Sequence, residues 1–355
     1  MLPAEFGAAK LRFVLLLATL VFSATACRSN AEQVRSEQLF TMGTLVEIAL
    51  WDVSEAQAAA AFNRAREDFE FMHAAWHPWK PGPLGRTNQL LETTAWFSAN
   101  PSVLPLIEPA KRLYARSGGL FNPAIGKLVA LWGFHQDERP PGPPPSAEAI
   151  EAVLAGDPGM DKVLLDGIRM RGTHPAVQLD FGAFAKGVAV DRVTEGLREL
   201  GVENAIVNAG GDLRAIGRPG DRPWRIGVRH PRGEGILAAL ELSGDESVFT
   251  SGDYERYFDH QGTRYHHILD PRTGYPARTA VSVTVIHSDA ATADAAATAL
   301  FVAGPEAWHA HARAMGIRYV MLVDAEGIVH MNPAMAERIR FQTDPAPRVM
   351  LSEPL

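Results

Sequence analysis

Asp180-Phe181-Gly182-Ala183-Phe184-Ala185-Lys186-Gly187 runs from the end of a strand expected at residues 177–181 into a helix expected over residues 185–200, which Gly201 closes. A strand at residues 204–208 follows directly and ends in Ala209-Gly210-Gly211-Asp212, a turn whose backbone amides no side chain obstructs. Outward from this passage the alternation continues. Residues 39–48 read as a strand, and Ser54 caps a helix to about residue 73, with Gln57 completing a capping box. Ser146 caps a short helix that ends near Leu154, and strands are expected at residues 162–165, 224–229, 237–242 and 281–287. A helix over residues 290–303 stops at Gly304. Strands interleaved with helices and joined by many short hairpins predict an α+β fold with mixed and antiparallel sheets, not a doubly wound one.

The chain has 355 residues, 46% of them hydrophobic and 21% charged, ample material for a core. Lys10 and Arg12 precede an apolar run from Phe13 to Phe22 that ends in Ser23-Ala24-Thr25-Ala26-Cys27. The run is half the roughly twenty residues that a membrane-spanning helix needs, and it suits a signal peptide over residues 1–26. Cys27 is the one cysteine of the chain, so no disulfide framework exists. Small residues directly before it resemble a bacterial lipobox, which predicts lipidation at Cys27; the other reading is an ordinary signal peptide cut near Ala24 or Ala26. Removing residues 1–26 takes away Lys10, Arg12 and Glu5, so the net charge moves from −7 to −8. That acidic body argues against nucleic acid as a partner. Arg139-Pro140-Pro141-Gly142-Pro143-Pro144-Pro145 is expected as a stiff surface connection at 139–145 inside one domain spanning 38–335, with 336–355 as a tail.

The densest chemistry lies in Tyr265-His266-His267-Ile268-Leu269-Asp270-Pro271-Arg272-Thr273-Gly274-Tyr275-Pro276. Pro271 and Gly274 make a tight turn expected to aim an imidazole, a carboxylate and a guanidinium into one space. Adjacent His266 and His267 point in opposite directions on an extended chain, so one imidazole faces a site and the other does not. Asp294 and Thr298 lie four apart on the alanine-rich helix and share a face. With backbone carbonyls they make a hard-oxygen set suited to Mg²⁺, or Asp294 simply complements a helix N-terminus. Asn208 to Asp212 forms a phosphate cradle or a plain hairpin, and Asp180 is a ribose or base ligand or a helix cap. No H-E-x-x-H, G-x-S-x-G or G-x-x-x-x-G-K-[ST] occurs.

Seven segments in one order resemble the ApbE family, the FAD:protein FMN transferases, over about residues 40–332. They are Thr41-Met42-Gly43-Thr44; Gly118 to Gly126 with Leu131-Trp132-Gly133-Phe134; Asp180 to Gly187; Asn208 to Asp212; Ser251-Gly252-Asp253-Tyr254-Glu255-Arg256; His267 to Pro276; and Ala293 to Leu300. The resemblance implies an ApbE-like, T-fold-related architecture. It also implies Mg²⁺-dependent transfer of FMN from FAD to a threonine hydroxyl of an acceptor protein, with release of AMP. Asp294, Thr298 and the Ala183 carbonyl would hold the metal. Met42, Trp76, Ala124, Asp180, Lys186 and Ile268 fall where family members contact FAD, together with Asn208, Gly210, Gly211 and Asp212. His267 would be the catalytic base. Ala297 stands where some members carry a second metal-binding Asp, and Gly82 where Ser is common before the Asn here at Asn88. The implied place is the periplasmic face of the bacterial inner membrane, held by a lipid anchor, with membrane redox subunits as acceptors. Two other functions fit the same residues: a periplasmic FAD pyrophosphatase giving FMN and AMP, and a non-catalytic flavin-binding accessory protein.

Overall fold

A nine-stranded sheet forms the centre of the computed structural model, which describes residues 34–136, 142–242 and 244–355. The expectations for residues 1–26, for Cys27 and for the first part of the proline run lie outside these residues; Gly142 to Pro145 have no regular structure. The sheet starts at the hairpin of β1 (Arg35–Thr41) and β2 (Thr44–Trp51). Then come β6 (Asn204–Ala209), β7 (Asp212–Ile216), β10 (Glu246–Gly252), β13 (Ala280–His287), β14 (Tyr319–Asp324), β15 (Val329–Met331) and β17 (Val349–Leu351), in that order. Neighbours are antiparallel except β15 and β17, which run parallel. Two small sheets flank it: β8 (Trp224–Arg229) with β9 (Ile236–Leu242) and β16 (Arg340–Phe341), and β3 (Phe97–Ser98) with β4 (Val163–Asp166) and β5 (Arg169–Gly172). A ribbon of β11 (Tyr257–His260) and β12 (Thr263–His266) stands apart.

The helices are α1 (Glu55–Trp76), α2 (Pro83–Glu92), α3 (Leu104–Arg116), α4 (Gly126–Leu131), α5 (Ala147–Leu154), α6 (Ala185–Glu199), α7 (Ala290–Met315) and α8 (Pro333–Arg338). Residues alternate across the sheet, so consecutive side chains enter different cores. Phe249 and Val285 join Phe69 of α1, Val193 of α6 and Leu300 of α7 on one side. Val248 and Ile286 meet Ile226 and Leu240 of the small sheet on the other. Strand β13 is buried along nearly its whole length because both faces are covered. Among the described residues no helix is long and apolar enough to cross a membrane.

Several local expectations give way to the tertiary structure. Residues 39–48 are a hairpin and not one strand: Met42 and Gly43 both take positive φ (51° and 74°) and fold β2 back on β1. Residues 177–181 make one isolated bridge, Ile125 to Gln178, and no strand. Ser54 does cap α1, accepting from the Gln57 N–H, but the Gln57 amide reaches the Leu200 carbonyl instead of closing the capping box. The helix at 290–303 breaks at Gly304 (φ 72°, ψ −179°) as its sequence required, and Pro305 starts a further run to Met315. Residues 336–355, expected as a tail, supply the end of α8 and the strands β16 and β17.

Candidate active site

Helices α6 and α7 meet at their N-terminal ends, and small residues make the meeting close. Ala290, Ala293 and Ala297 of α7 are buried, and a Cβ on Gly187 of α6 would lie 2.4 Å from the Ala290 carbonyl oxygen. At this distance the Gly187 N–H donates to Asp294 Oδ2 (2.9 Å). Gly187 stands in the first turn of α6, where a helix leaves its N–H groups without intrahelical partners, so Asp294 of α7 caps α6 from outside. Ala183 lies directly before the Phe184 cap. One turn beyond Asp294, Thr298 Oγ1 sits 3.1 Å from Ser251 Oγ of β10. Burial, reinforced by the Asp212 carboxylate, raises Asp294 to about 7, while Lys186 opposes the shift. A buried carboxylate and a hydroxyl one helical turn apart are hard-oxygen donors, which with a backbone carbonyl such as that of Ala183 would suit Mg²⁺ better than a soft metal. No cluster of three acidic, His or Cys side chains accompanies it among the described residues, in keeping with Ala297 at the neighbouring position.

Lys186 projects from the first turn of α6. Burial lowers its pKa, but the carboxylates of Asp212 and Asp294 more than reverse that and keep it charged. Asp212 pairs with Lys186 through one oxygen and accepts the Thr250 N–H (2.9 Å) through the other. Asn208 Oδ1 accepts from Gly211 N (2.8 Å), and Gly210 and Gly211 take φ of 71° and 103°. The segment is therefore a two-glycine hairpin between β6 and β7, with its acidic end holding the lysine in place.

In the ribbon, Tyr257 pairs with His266, which sets Arg256 beside His267. His266 is 4% exposed, donates from Nε2 to the Ala277 carbonyl (2.5 Å) and accepts the Ile268 N–H at Nδ1 (3.3 Å). Its ring lies against Phe301. His267 points the other way, as alternation required. Its Nδ1 faces the Arg256 carbonyl at 3.3 Å, and a carbonyl can only accept, so Nδ1 carries the proton and Nε2 keeps its lone pair. Burial first, then the Arg256 charge, pushes this imidazole down to about 3. Lys186 is close enough to add to that shift.

The guanidinium expected beside His267 is a different one. Arg272 binds Asp270 in a fork (2.9 and 2.7 Å), and both fix the turn instead of facing the imidazole. The Trp132 indole N–H holds the same turn at the Gly274 carbonyl (2.7 Å). Arg256 takes the place beside the site, with its side chain donating to the carbonyls of Phe134 and Gln136. Asp180 is raised by burial and opposed by a bond from the Gly182 N–H (2.8 Å), by Arg256 and by the Trp79 side chain. Asp180 is not a helix cap, since Phe184 holds that position on α6.

The remaining expected contacts are placed unevenly. Met42 stands at the β1–β2 turn, half-buried. Ala124 and Ile268 are buried in the main core, and their backbone groups are paired within the protein: Ala124 with Asn122 and Gln178, Ile268 with His266 and Ala277. Trp76 is 4% exposed, and its indole N–H is spent on the Ser102 carbonyl (2.9 Å). Trp79, just beyond the end of α1, stacks at a tilt on His135 (5.2 Å between centroids) and its side chain favours the charged form of Asp180.

The profile described as the ApbE family matches residues 42–321. The FAD:protein FMN transferase of Rhodobacter capsulatus is 42% identical over 304 residues, 86% of this chain. The chain spans 58% of that relative's length. The FAD:protein FMN transferase of Vibrio cholerae is 33% identical over 325 residues, covering 88% of this chain and 94% of that one. Among solved structures, the ApbE protein of Thermotoga maritima superposes with a TM-score of 0.79 at 34% identity, over 87% of this chain and all of that one. The apo flavinyl transferase ApbE of Pseudomonas stutzeri gives 0.76 at 31%, over 86% and 97%. With sequence and α+β fold in agreement, the chain belongs to the ApbE family.

Proposed function

We propose that this protein is an FAD:protein FMN transferase that uses Mg²⁺ and a threonine acceptor. The observation that carries the reading is the α6–α7 junction, where the Gly187 N–H holds Asp294 one turn before Thr298 and Lys186 of the same α6 turn pairs with Asp212; His267, with Nδ1 on the Arg256 carbonyl, supports it. In the proposed step the acceptor hydroxyl oxygen bonds to the FMN-side phosphorus of FAD. The bond from that phosphorus to the bridging oxygen breaks, and AMP leaves with the electron pair. The hydroxyl proton goes to His267 Nε2. The negative pyrophosphate arriving beside His267 offsets the Arg256 charge and raises the affinity of the imidazole for that proton. Mg²⁺, when bound, would neutralise charge on the pyrophosphate. Lys186 adds a fixed positive charge, and the two-glycine hairpin lets backbone approach the phosphates. Met42, Asp180 and Trp79 border the space in which we place the flavin, with Ala124 and Ile268 packed behind it.

Purified protein incubated with FAD, Mg²⁺ and an acceptor domain should raise the acceptor's mass by one FMN and release AMP in equal amount. Release of FMN and AMP with no gain in acceptor mass would replace transfer by hydrolysis. Tight FAD binding with neither product would leave a flavin-binding accessory protein. The sequence before Arg35 supports lipidation at Cys27, export, and attachment to the periplasmic face of the inner membrane, where membrane redox subunits are the acceptors proposed. The intact mass of the mature protein should carry a diacylglycerol-modified N-terminal Cys27; an unmodified N-terminus would overturn the anchor.

A further inference from the structure

The close meeting of α6 and α7 has a second point of attachment one turn away from the first. Asp191 lies four residues beyond Gly187 on α6, and Ala290 lies four residues before Asp294 on α7. The Asp191 carboxylate accepts the Ala290 N–H at Oδ1 and the Ala291 N–H at Oδ2, both at 3.0 Å. These are two of the N–H groups that a helix start leaves without partners. The next one, on Thr292, goes to Asp289 Oδ1 (2.7 Å), the ordinary cap. The first helix turn is therefore completed only by a carboxylate from another helix.

Asp191 is itself held. Arg214 of β7 pairs with it and forks onto Asp245 (2.8 Å from both Nε and Nη2). The Arg214 side chain is 12% exposed, so this pair is screened from water far more than a surface ion pair. Three hydrogen bonds at two points one helical turn apart, Gly187 to Asp294 and Asp191 to Ala290 and Ala291, tie the first turn of α7 to α6, adding direction to the apolar packing of α7 in the core.

We propose that Asp191 is a positioning residue for the metal site: it seats the first turn of α7 so that Asp294 and Thr298 stand opposite the Ala183 carbonyl. This rests on the metal reading given above. Loss of such a support typically weakens metal affinity by about 10- to 100-fold without removing a ligand.

The probe is Mn²⁺, a hard cation that accepts the same oxygen donors as Mg²⁺, titrated into FAD-saturated protein and counted as free ion by electron paramagnetic resonance. Asp191→Ala should raise the Mn²⁺ dissociation constant about tenfold or more, while FAD affinity measured without metal stays within about twofold. Asp191→Asn keeps an oxygen for one helix N–H and should fall between Asp191→Ala and the unaltered protein. A purely structural role would lower the melting temperature and leave the Mn²⁺ constant unchanged. A constant within twofold of the unaltered protein in Asp191→Ala therefore overturns the proposal. If Asp191→Ala does not accumulate, Asp191→Asn decides on the same criterion. Asp294→Ala separates the two levels of inference. If the unaltered protein binds Mn²⁺ no better than Asp294→Ala, the metal reading fails; if it binds better but Asp191 variants match it, only the positioning role does.

Discussion

Asp294→Ala should lower the FMN transfer rate by about a thousandfold, with partial recovery at high Mg²⁺. Asp294 is the one carboxylate of the proposed metal site, buried between Lys186 and the α6 backbone. Metal stabilisation of transferring phosphoryl charge is worth several kcal/mol, and each 1.36 kcal/mol is a factor of ten in rate. Removing the carboxylate leaves Thr298 and the Ala183 carbonyl, so affinity falls and excess Mg²⁺ restores part of the rate. The Gly187 N–H also loses its acceptor, and Lys186 keeps only Asp212 as a close partner. Transfer rates as a function of Mg²⁺ concentration test this directly. Unchanged turnover together with unchanged sensitivity to EDTA would remove Asp294 from the metal site.

His267→Ala should reduce transfer by about 10²–10⁴-fold, the usual contribution of a positioned base, with little change in FAD affinity. The base acts on the acceptor hydroxyl and not on the flavin. The neighbouring imidazole gives the contrast. His266 spends both ring nitrogens on the backbone, so His266→Ala should cost about 1–3 kcal/mol of stability through the unpaired Ala277 carbonyl and Ile268 N–H. Its transfer rate per folded molecule should stay near the unaltered value. Single-turnover rates and denaturant midpoints for both variants separate the two roles. If His266→Ala slows the chemical step more than His267→Ala does, the imidazoles have been assigned the wrong way round.

The candidate site was legible where its logic is local. Asp294 and Thr298 share a helix face because four residues are about one turn, and that spacing survives any packing. His266 and His267 diverge because neighbours on an extended chain must. The site's second cation was not legible in this way. Arg272 lies within five residues of His267, yet its fork onto Asp270 closes the turn, while Arg256 reaches the site because the β11–β12 register brings it there. Asp191 carried no local signal at all, since its partners, the N–H groups of Ala290 and Ala291, lie about a hundred residues away.

By itself the sequence determined the α+β class, the limits of α6 and the break at Gly304. Hydrophobic periods, caps and the φ preferences of glycine act within a few residues, and no distant contact is needed to satisfy them. Tertiary structure alone decided the fold-back at Met42-Gly43, the choice of Arg256 over Arg272 beside His267, and the two-point seating of α7 on α6. Those outcomes depend on strand register and on the approach of backbones distant in sequence, and a Cβ at Gly187 would forbid the last of them.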